Sequence, residues 1–510
     1  MQRRGKHHLI LFSSLLFVFL LFVVLINNTK VANTQSTTVD KAPSISDITV
    51  SPIAEDNQTI KGTVELSVKA SDDNGISKAE FYSEGGNYLI KTVTSAPYTI
   101  DWTTDPWVPD GVQHIKVVAY DTANQTSEVS KSVLVDNTSP VEAAQQNYKR
   151  VGYYASWATY SEYQVTDIDA SKLTHINYAF ANISEDGKMK VGDPWADTQQ
   201  PFPGDTETQE LKGNFHQLNK LKEQHPHLKT LISVGGWTWS DKFSDVALTE
   251  ESRTTFADSV LDFMLQYGFD GVDLDWEYPV SGGKAGNTNR PEDKQNYTLL
   301  LKKIRETLDA QSEKDGKDYL LTIAAGVSSH HAANMELDKL HQYVDYIQLM
   351  TYDIHGEWDQ ITGLNAPLHK DPDSKFAQEW SVQDAVETYI NRGVPTEKMV
   401  IGIPFYGRVY NQVDEASSGL YQPFSDGKSV GYASIEENYL NKNEFRRQWE
   451  SDSKTPYLSN DSTFISYDDV ESIGHKTSYI QSMELGGAMM WELSQDPDRV
   501  LLTKIYEDLK

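Results

Sequence analysis

Cysteine is absent from all 510 residues. That excludes a disulfide framework, a zinc–thiolate centre and a cysteine nucleophile together. Cationic side chains are scarce: 45 Lys and Arg against 74 Asp and Glu give a formal net charge of −29. A surface this acidic repels phosphate backbones and anionic lipid, which argues against nucleic-acid partners and leaves a neutral substrate or metal ions compatible. A glycine-rich nucleotide turn is missing too, which disfavours a doubly wound open sheet. Aromatics, by contrast, are well supplied, with 11 Trp and 27 Tyr, and they need a use.

One apolar run stands apart. Arg3, Arg4 and Lys6 precede Leu9 to Ile26, broken only by Ser13 and Ser14. Basic-then-apolar order is that of an export signal, so residues 1–30 are set aside as a signal peptide or N-terminal membrane anchor. The run is about 27 Å long as a helix, just enough to span a bilayer. Either way the remainder is placed outside the cytoplasm, secreted or tethered to the outer face of the membrane. No cysteine is present to accept lipid.

Residues 31–41 are small and polar and read as a linker. From 42 to 137 the pattern is all-β. Val64, Leu66, Val68 and Ala70 alternate with Thr63, Glu65, Ser67 and Lys69, and Asp73-Asn74-Gly75 and Asp110-Gly111 supply turns. About seven such strands predict a β-sandwich, and the stretch resembles bacterial immunoglobulin-like modules. Trp102 alternates with Ile100 and is expected in its core, while Trp107 lies between two prolines and is a candidate for exposure to sugar. A second linker, 138–147, leads into residues 148–510, where eight apolar strand segments alternate with amphipathic helical ones. That is the pattern of an α/β fold, a (β/α)8 TIM barrel. About sixty residues, roughly 409–467, separate the seventh and eighth strands and are expected to form an inserted α+β subdomain.

The densest chemistry lies on the fourth strand, Phe269 to Pro279, reading FDGVDLDWEYP. Residues two apart share one face of a strand, so Asp273, Asp275 and Glu277 point inward while Val272 and Leu274 suit the helix-packed outside. Stacked carboxylates in a low-dielectric barrel cannot all ionise, and one should hold a proton near neutral pH. Glu277 is last, at the strand end where barrel active sites sit, which fits it to protonate a leaving oxygen. Coordination of Mg²⁺ or Ca²⁺ by the same oxygens is the alternative.

The string DGVDLDWEYP resembles the Asp-x-x-Asp-x-Asp-x-Glu signature of glycoside hydrolase family 18, the chitinases and their relatives. Ser233 to Trp237 resembles the family's third-strand motif, Met350-Thr351-Tyr352-Asp353 the sixth, and Gly487 to Trp491 the eighth. PFYGRVY and FISYDD resemble members carrying the insertion. The resemblance implies a hydrolase of β-1,4 links between N-acetylglucosamine units, acting with retention, without metal or organic cofactor, on chitin or chitooligosaccharide, and as a monomer. Glu277 would be the general acid and then the base. Asp275 would turn between Asp273 and Glu277 and orient the acetamide N–H, with Asp273 sharing its proton. Tyr352 would bond the acetamide oxygen, and the substrate's own N-acetyl carbonyl would be the nucleophile.

Trp491 is expected as the floor under the cleaved sugar, with Trp237, Trp358 and Tyr153 as further platforms and Asp353 and Met350 lining the pocket. Arg408 would reach a sugar farther along. Trp157, Trp239, Trp195 and Trp380 are weaker candidates for the same task, and Trp449 is assigned to the insertion's core. His355 is expected to be a hydrogen-bonding wall residue, with a catalytic base as the lesser alternative. An endo-β-N-acetylglucosaminidase, a peptidoglycan hydrolase and, outside enzymes, a chitin-binding lectin are the alternative functions.

Overall fold

The computed structural model describes residues 40–51, 59–60, 62–83, 88–104, 108, 111–135, 148–161, 163–413 and 416–510. The targeting segment 1–30, nearly all of linker 31–41, linker 138–147 and Trp107 lie outside the described residues.

Apart from a short parallel pairing of Thr59–Ile60 with Leu134–Val135, the described strands of the N-terminal module pair in antiparallel fashion. Thr49–Ser51, Thr63–Val68 and Tyr98–Thr103 form one sheet. Thr126–Val135, Gly111–Asp121, Ile76–Ser83 and Tyr88–Val93 form most of another. The period-two pattern works as expected: Val64, Leu66 and Val68 are buried while Thr63 and Glu65 face out. Together with Phe81, Ile100, Trp102, Ile115 and Val117 they make an apolar core, so Trp102 is a packing residue.

The second region closes a parallel barrel of eight strands: β1 Lys149–Ala155, β2 His175–Ile183, β3 Lys229–Gly235, β4 Gly271–Asp275, β5 Leu320–Ala325, β6 Tyr346–Leu349, β7 Met399–Pro404 and β8 Gly487–Trp491. Closure is explicit, because β1 pairs with both β2 and β8. The helices follow the capping chemistry written beside them. Helix α1, Glu250–Tyr267, opens on a Thr249–Ser252 capping box and stops at Gly268 in a left-handed turn. Helix α2, Asp293–Asp315, stops at Gly316 in the same way. Val272 and Leu274 point from β4 into the layer between strands and helices. That leaves Asp273 and Asp275 inside the barrel.

Between β7 and β8 stands a separate five-stranded antiparallel sheet, in the order Asp426–Gly431, Tyr406–Asn411, Thr463–Ser466, Thr455–Ser459, Arg446–Glu450, with a helix at Tyr432–Asn438. Its first strand starts two residues after β7 ends, which sets Tyr406 and Arg408 at the barrel mouth. Trp449 is half-buried against Arg447 and His475 on the outermost strand, and so is not part of the insertion's core as expected. Among the described residues no helix is long and apolar enough to cross a membrane.

Candidate active site

Strand register explains how the carboxylate row is held. Asp273 lies level with Ser233 on β3 and Thr322 on β5. Both hydroxyls donate to it, Ser233 Oγ to Oδ2 and Thr322 Oγ1 to Oδ1, each at 2.7 Å. Tyr153 Oη adds a bond of 2.7 Å to Oδ2, and Gln348 Nε2 one of 2.8 Å to Oδ1. Asn177 orients Gln348 by donating to its Oε1 at 3.1 Å. Asp273 is fully buried. Burial pushes its carboxyl above the ordinary value, and the four donors pull against that.

Two residues on, the neighbours change. Asp275 is level with Gly235 and Ala324, neither of which carries a donor side chain. Its Oδ1 is buried without a hydrogen-bond partner. Burial first, then the charges of Glu277 and Asp273, hold its carboxyl far above the carboxylate range. Gly235 is required here: its φ is +104°, and a Cβ would come within 2.5 Å of the Asp275 carbonyl.

Glu277 lies just past the end of β4 and is half-buried. Its backbone is fixed by Ser240 Oγ, which accepts from the Glu277 N–H at 2.9 Å and donates to the Asp275 carbonyl at 3.1 Å. Asn287 Nδ2 donates to the Glu277 carbonyl at 3.1 Å. Burial raises the carboxyl to about 7, with Asp353 adding to it and hydrogen bonds from Tyr278 and the Trp237 backbone opposing. The acid therefore keeps a proton near neutral pH, as a proton donor must.

Around the row sits an aromatic chamber. Trp491 stacks on Phe180 at 5.9 Å and meets Tyr153 at 5.3 Å and Trp157 at 6.3 Å. Tyr352 and Met350 pack into the same cluster. The Tyr352 hydroxyl has a weak acceptor, Met489 Sδ at 3.8 Å, which leaves its proton available to a stronger one. Trp237, Trp358, Trp157 and Trp195 are 51%, 56%, 49% and 50% exposed, so their faces can stack on a sugar. Trp380 is half-buried and donates to the Val327 carbonyl at 3.1 Å, and Trp239 is half-buried in the chamber wall.

Three expectations require correction. Tyr153 is no platform: it is 1% exposed, because it sits on β1 with two residues still to run and points inward. It serves Asp273 with its hydroxyl and Trp491 with its ring. Arg408 is not free to reach along a sugar chain, since it is buried and tied to Asp353 through Nη2 and to Glu357 at 2.7 Å through Nη1. Tyr406 also donates to Asp353 Oδ1, so two residues of the insertion hold that carboxylate. The supposed sharing of a proton between Asp273 and Asp275 also meets a fully bonded Asp273, and the stronger electrostatic partner of Asp275 is Glu277.

Phe180, Gln348, Thr322, Asn177, Ser240 and Tyr406 escaped the sequence reading. Among the described residues, acidic groups close enough to share an ion are Asp40, Asp72 and Asp73, and Asp371, Glu450 and Asp452; neither belongs to the β4 row.

The family model "Glycosyl hydrolases family 18" matches residues 149–496, and "Bacterial Ig domain" matches 49–117. Chitinase A1 of Niallia circulans is 50% identical over 412 residues, covering 72% of this chain and 59% of that protein, so less than two thirds of its length is spanned. The solved structure of chitinase ChiA74 from Bacillus thuringiensis is 42% identical with a TM-score of 0.69, covering 71% of this chain and 70% of the other. A family 18 N-acetylglucosaminidase from Paenibacillus barengoltzii is 38% identical with a TM-score of 0.63, covering 71% and 100%. With a match across the whole barrel and the acidic row in place on its fourth strand, the chain belongs to glycosyl hydrolases family 18.

Proposed function

We propose that this protein is a chitinase that hydrolyses β-1,4 bonds between N-acetylglucosamine units with retention, through substrate-assisted catalysis. The observation that carries this reading is the pairing of a protonated Glu277 at the rim with Asp275, whose Oδ1 lacks a partner. Glu277 gives its proton to the glycosidic oxygen as the bond from that oxygen to C1 breaks. The carbonyl oxygen of the 2-acetamido group bonds to C1 from the opposite face, giving a cyclic oxazolinium ion. Asp275 accepts the acetamide N–H, and the pair of Glu277 and Asp275, now holding one proton between them, carries the negative charge that balances the oxazolinium ion, while Tyr352 donates to the acetamide oxygen and keeps it in line. Glu277, now a carboxylate, takes a proton from water, which adds to C1 and reopens the ring. Two inversions give net retention, and the enzyme supplies no nucleophile. The absence of cysteine therefore costs the chemistry nothing.

Asp273, buried under four donors, anchors the row from below, and Trp491 with Phe180 floors the sugar at the cleavage point. Trp237 and Trp358 serve as platforms on either side, and Asp353 and Met350 line the pocket between them. The substrate is chitin or a chitooligosaccharide, and the chain acts as a monomer outside the cytoplasm, where the basic-then-apolar segment 1–30 directs it. Substitution Glu277→Gln tests the assignment. Loss of a proton donor costs typically 10²–10⁴-fold, so chitohexaose cleavage should fall at least a hundredfold. Retention of activity within tenfold of the parent overturns it.

A further inference from the structure

The chain leaving β6 folds back on itself at His355, whose side chain is 6% exposed. Nδ1 lies 3.1 Å from Asp359 Oδ2 and Nε2 lies 3.0 Å from Glu379 Oε1. A carboxylate only accepts, so both ring nitrogens need a hydrogen and the ring must be the charged imidazolium. Phe376 stacks on it at 3.5 Å, and Gly363 packs so tightly that an added Cβ would come within 2.5 Å of the His355 Cβ. The charged groups facing it are Asp359 from its own loop and Glu379 from the segment before helix α3, Val382–Ile390. Tyr421 of the insertion packs behind Phe376 at 5.9 Å, with its hydroxyl donated to Asp371. Burial disfavours the charge, but the bonds to Asp359 and Glu379 outweigh it and raise the pKa of His355 above the ordinary value.

The same Asp359 Oδ2 accepts the Gly356 N–H at 3.1 Å, and the Asp359 N–H donates to the Gly356 carbonyl at 3.0 Å. A turn from Gly356 to Asp359 is thus closed, and it carries Glu357 and Trp358. The Trp358 ring lies over Gly356, where a Cβ would come within 2.4 Å of the indole and push the ring aside. Across from it, the Arg408 guanidinium sits 4.8 Å from the ring centroid and bonds Glu357. Trp358 is therefore held by a chain of contacts that ends at His355.

We propose that His355 is a positioning residue: as an imidazolium bridging Asp359 and Glu379, it holds the Gly356–Asp359 turn and its exposed Trp358 beside Arg408 as a sugar platform, and sugar binding there weakens when it loses its proton. This rests on the chitinase reading above. A group with a raised pKa keeps its contribution below that pKa and loses it as pH rises through it, so the effect belongs on the alkaline side.

The test is kcat and KM for chitohexaose from pH 5 to 10 with the full chain, its His355→Gln variant and its Glu379→Gln variant. KM of the parent should rise about three- to tenfold on the alkaline side, while H355Q shows the raised KM at every pH with no further rise. E379Q removes one of the two carboxylates and should move the KM rise to lower pH. A structural role alone would lower kcat or the amount of folded enzyme without moving that pH. An H355Q enzyme with the parent's KM at all pH values overturns the proposal, as does an E379Q enzyme whose KM rises at the parental pH. Where H355Q does not fold by circular dichroism, the E379Q result alone decides. A parent that cleaves no chitohexaose at any pH refutes the functional reading, whereas one that cleaves with a pH-independent KM refutes only this inference.

Discussion

Replacing Asp275 by asparagine separates what this residue does for catalysis from what it costs the fold. The carboxyl is buried, level with Gly235 and Ala324, and its Oδ1 is unpartnered. An amide of the same shape removes the titratable group and leaves Glu277 in place. In the proposed reaction, the lost group is one of the two coupled carboxyls that share the negative charge balancing the oxazolinium ion. Removing one preorganised electrostatic partner typically costs about 2.7–4 kcal/mol, so kcat on chitohexaose should fall about 10²–10³-fold with little change in KM. Stability should move the other way. The folded-state pKa of Asp275 lies far above its unfolded value, so the folded protein binds the extra proton. The parent then loses stability as pH rises above the unfolded value of about 4, by up to ~1.4 kcal/mol per pH unit while the folded carboxyl stays protonated. D275N removes that slope. Thermal unfolding should place D275N above the parent, with the gap widening between pH 4 and pH 6. A kcat within fivefold of the parent, or a melting gap that narrows as pH rises through that window, refutes the reasoning.

Three further outcomes follow from the same geometry. Tyr352→Phe keeps the ring and deletes a hydroxyl bonded only weakly to Met489, so stability should stay within about 0.5 kcal/mol while kcat falls tenfold or more, measured by melting and steady-state kinetics. The alkaline limb of kcat/KM should lie near pH 7, where Glu277 loses its proton, and Asp353→Asn should shift it to lower pH because the Asp353 charge helps raise that pKa. Treatment with EDTA should leave hydrolysis unchanged; abolition of activity would restore the metal-ion alternative for the β4 carboxylates.

The parts of this site that were legible in the sequence are those set by one strand at a time. Asp273, Asp275 and Glu277 declare themselves because a period of two puts them on one face, with Val272 and Leu274 opposite. The barrel was legible for the same reason, eight apolar segments recurring between amphipathic helices. What was not legible depends on register between strands. Ser233 was noticed as part of a motif, but that it and Thr322 stand level with Asp273, while Gly235 and Ala324 stand level with Asp275, follows only once β3, β4 and β5 are aligned. Gln348 and Asn177 reach Asp273 from strands distant in sequence. Tyr153 was misread because the end of β1 lies two residues beyond it, which turns a mouth residue into an inner one. Arg408 was misread because its two carboxylate partners sit on the loop after β6, about fifty residues earlier in the chain. His355 was read as a wall residue, and nothing in its local sequence announces Glu379 as its second partner.

The central claim is that the substrate's own acetamide attacks C1 and that water then arrives from the face the leaving oxygen left. Proton NMR of the first turnovers on chitohexaose, recorded faster than mutarotation, tests it most directly. The account predicts that the newly formed reducing end appears first as the β-anomer. Initial appearance of the α-anomer would contradict it.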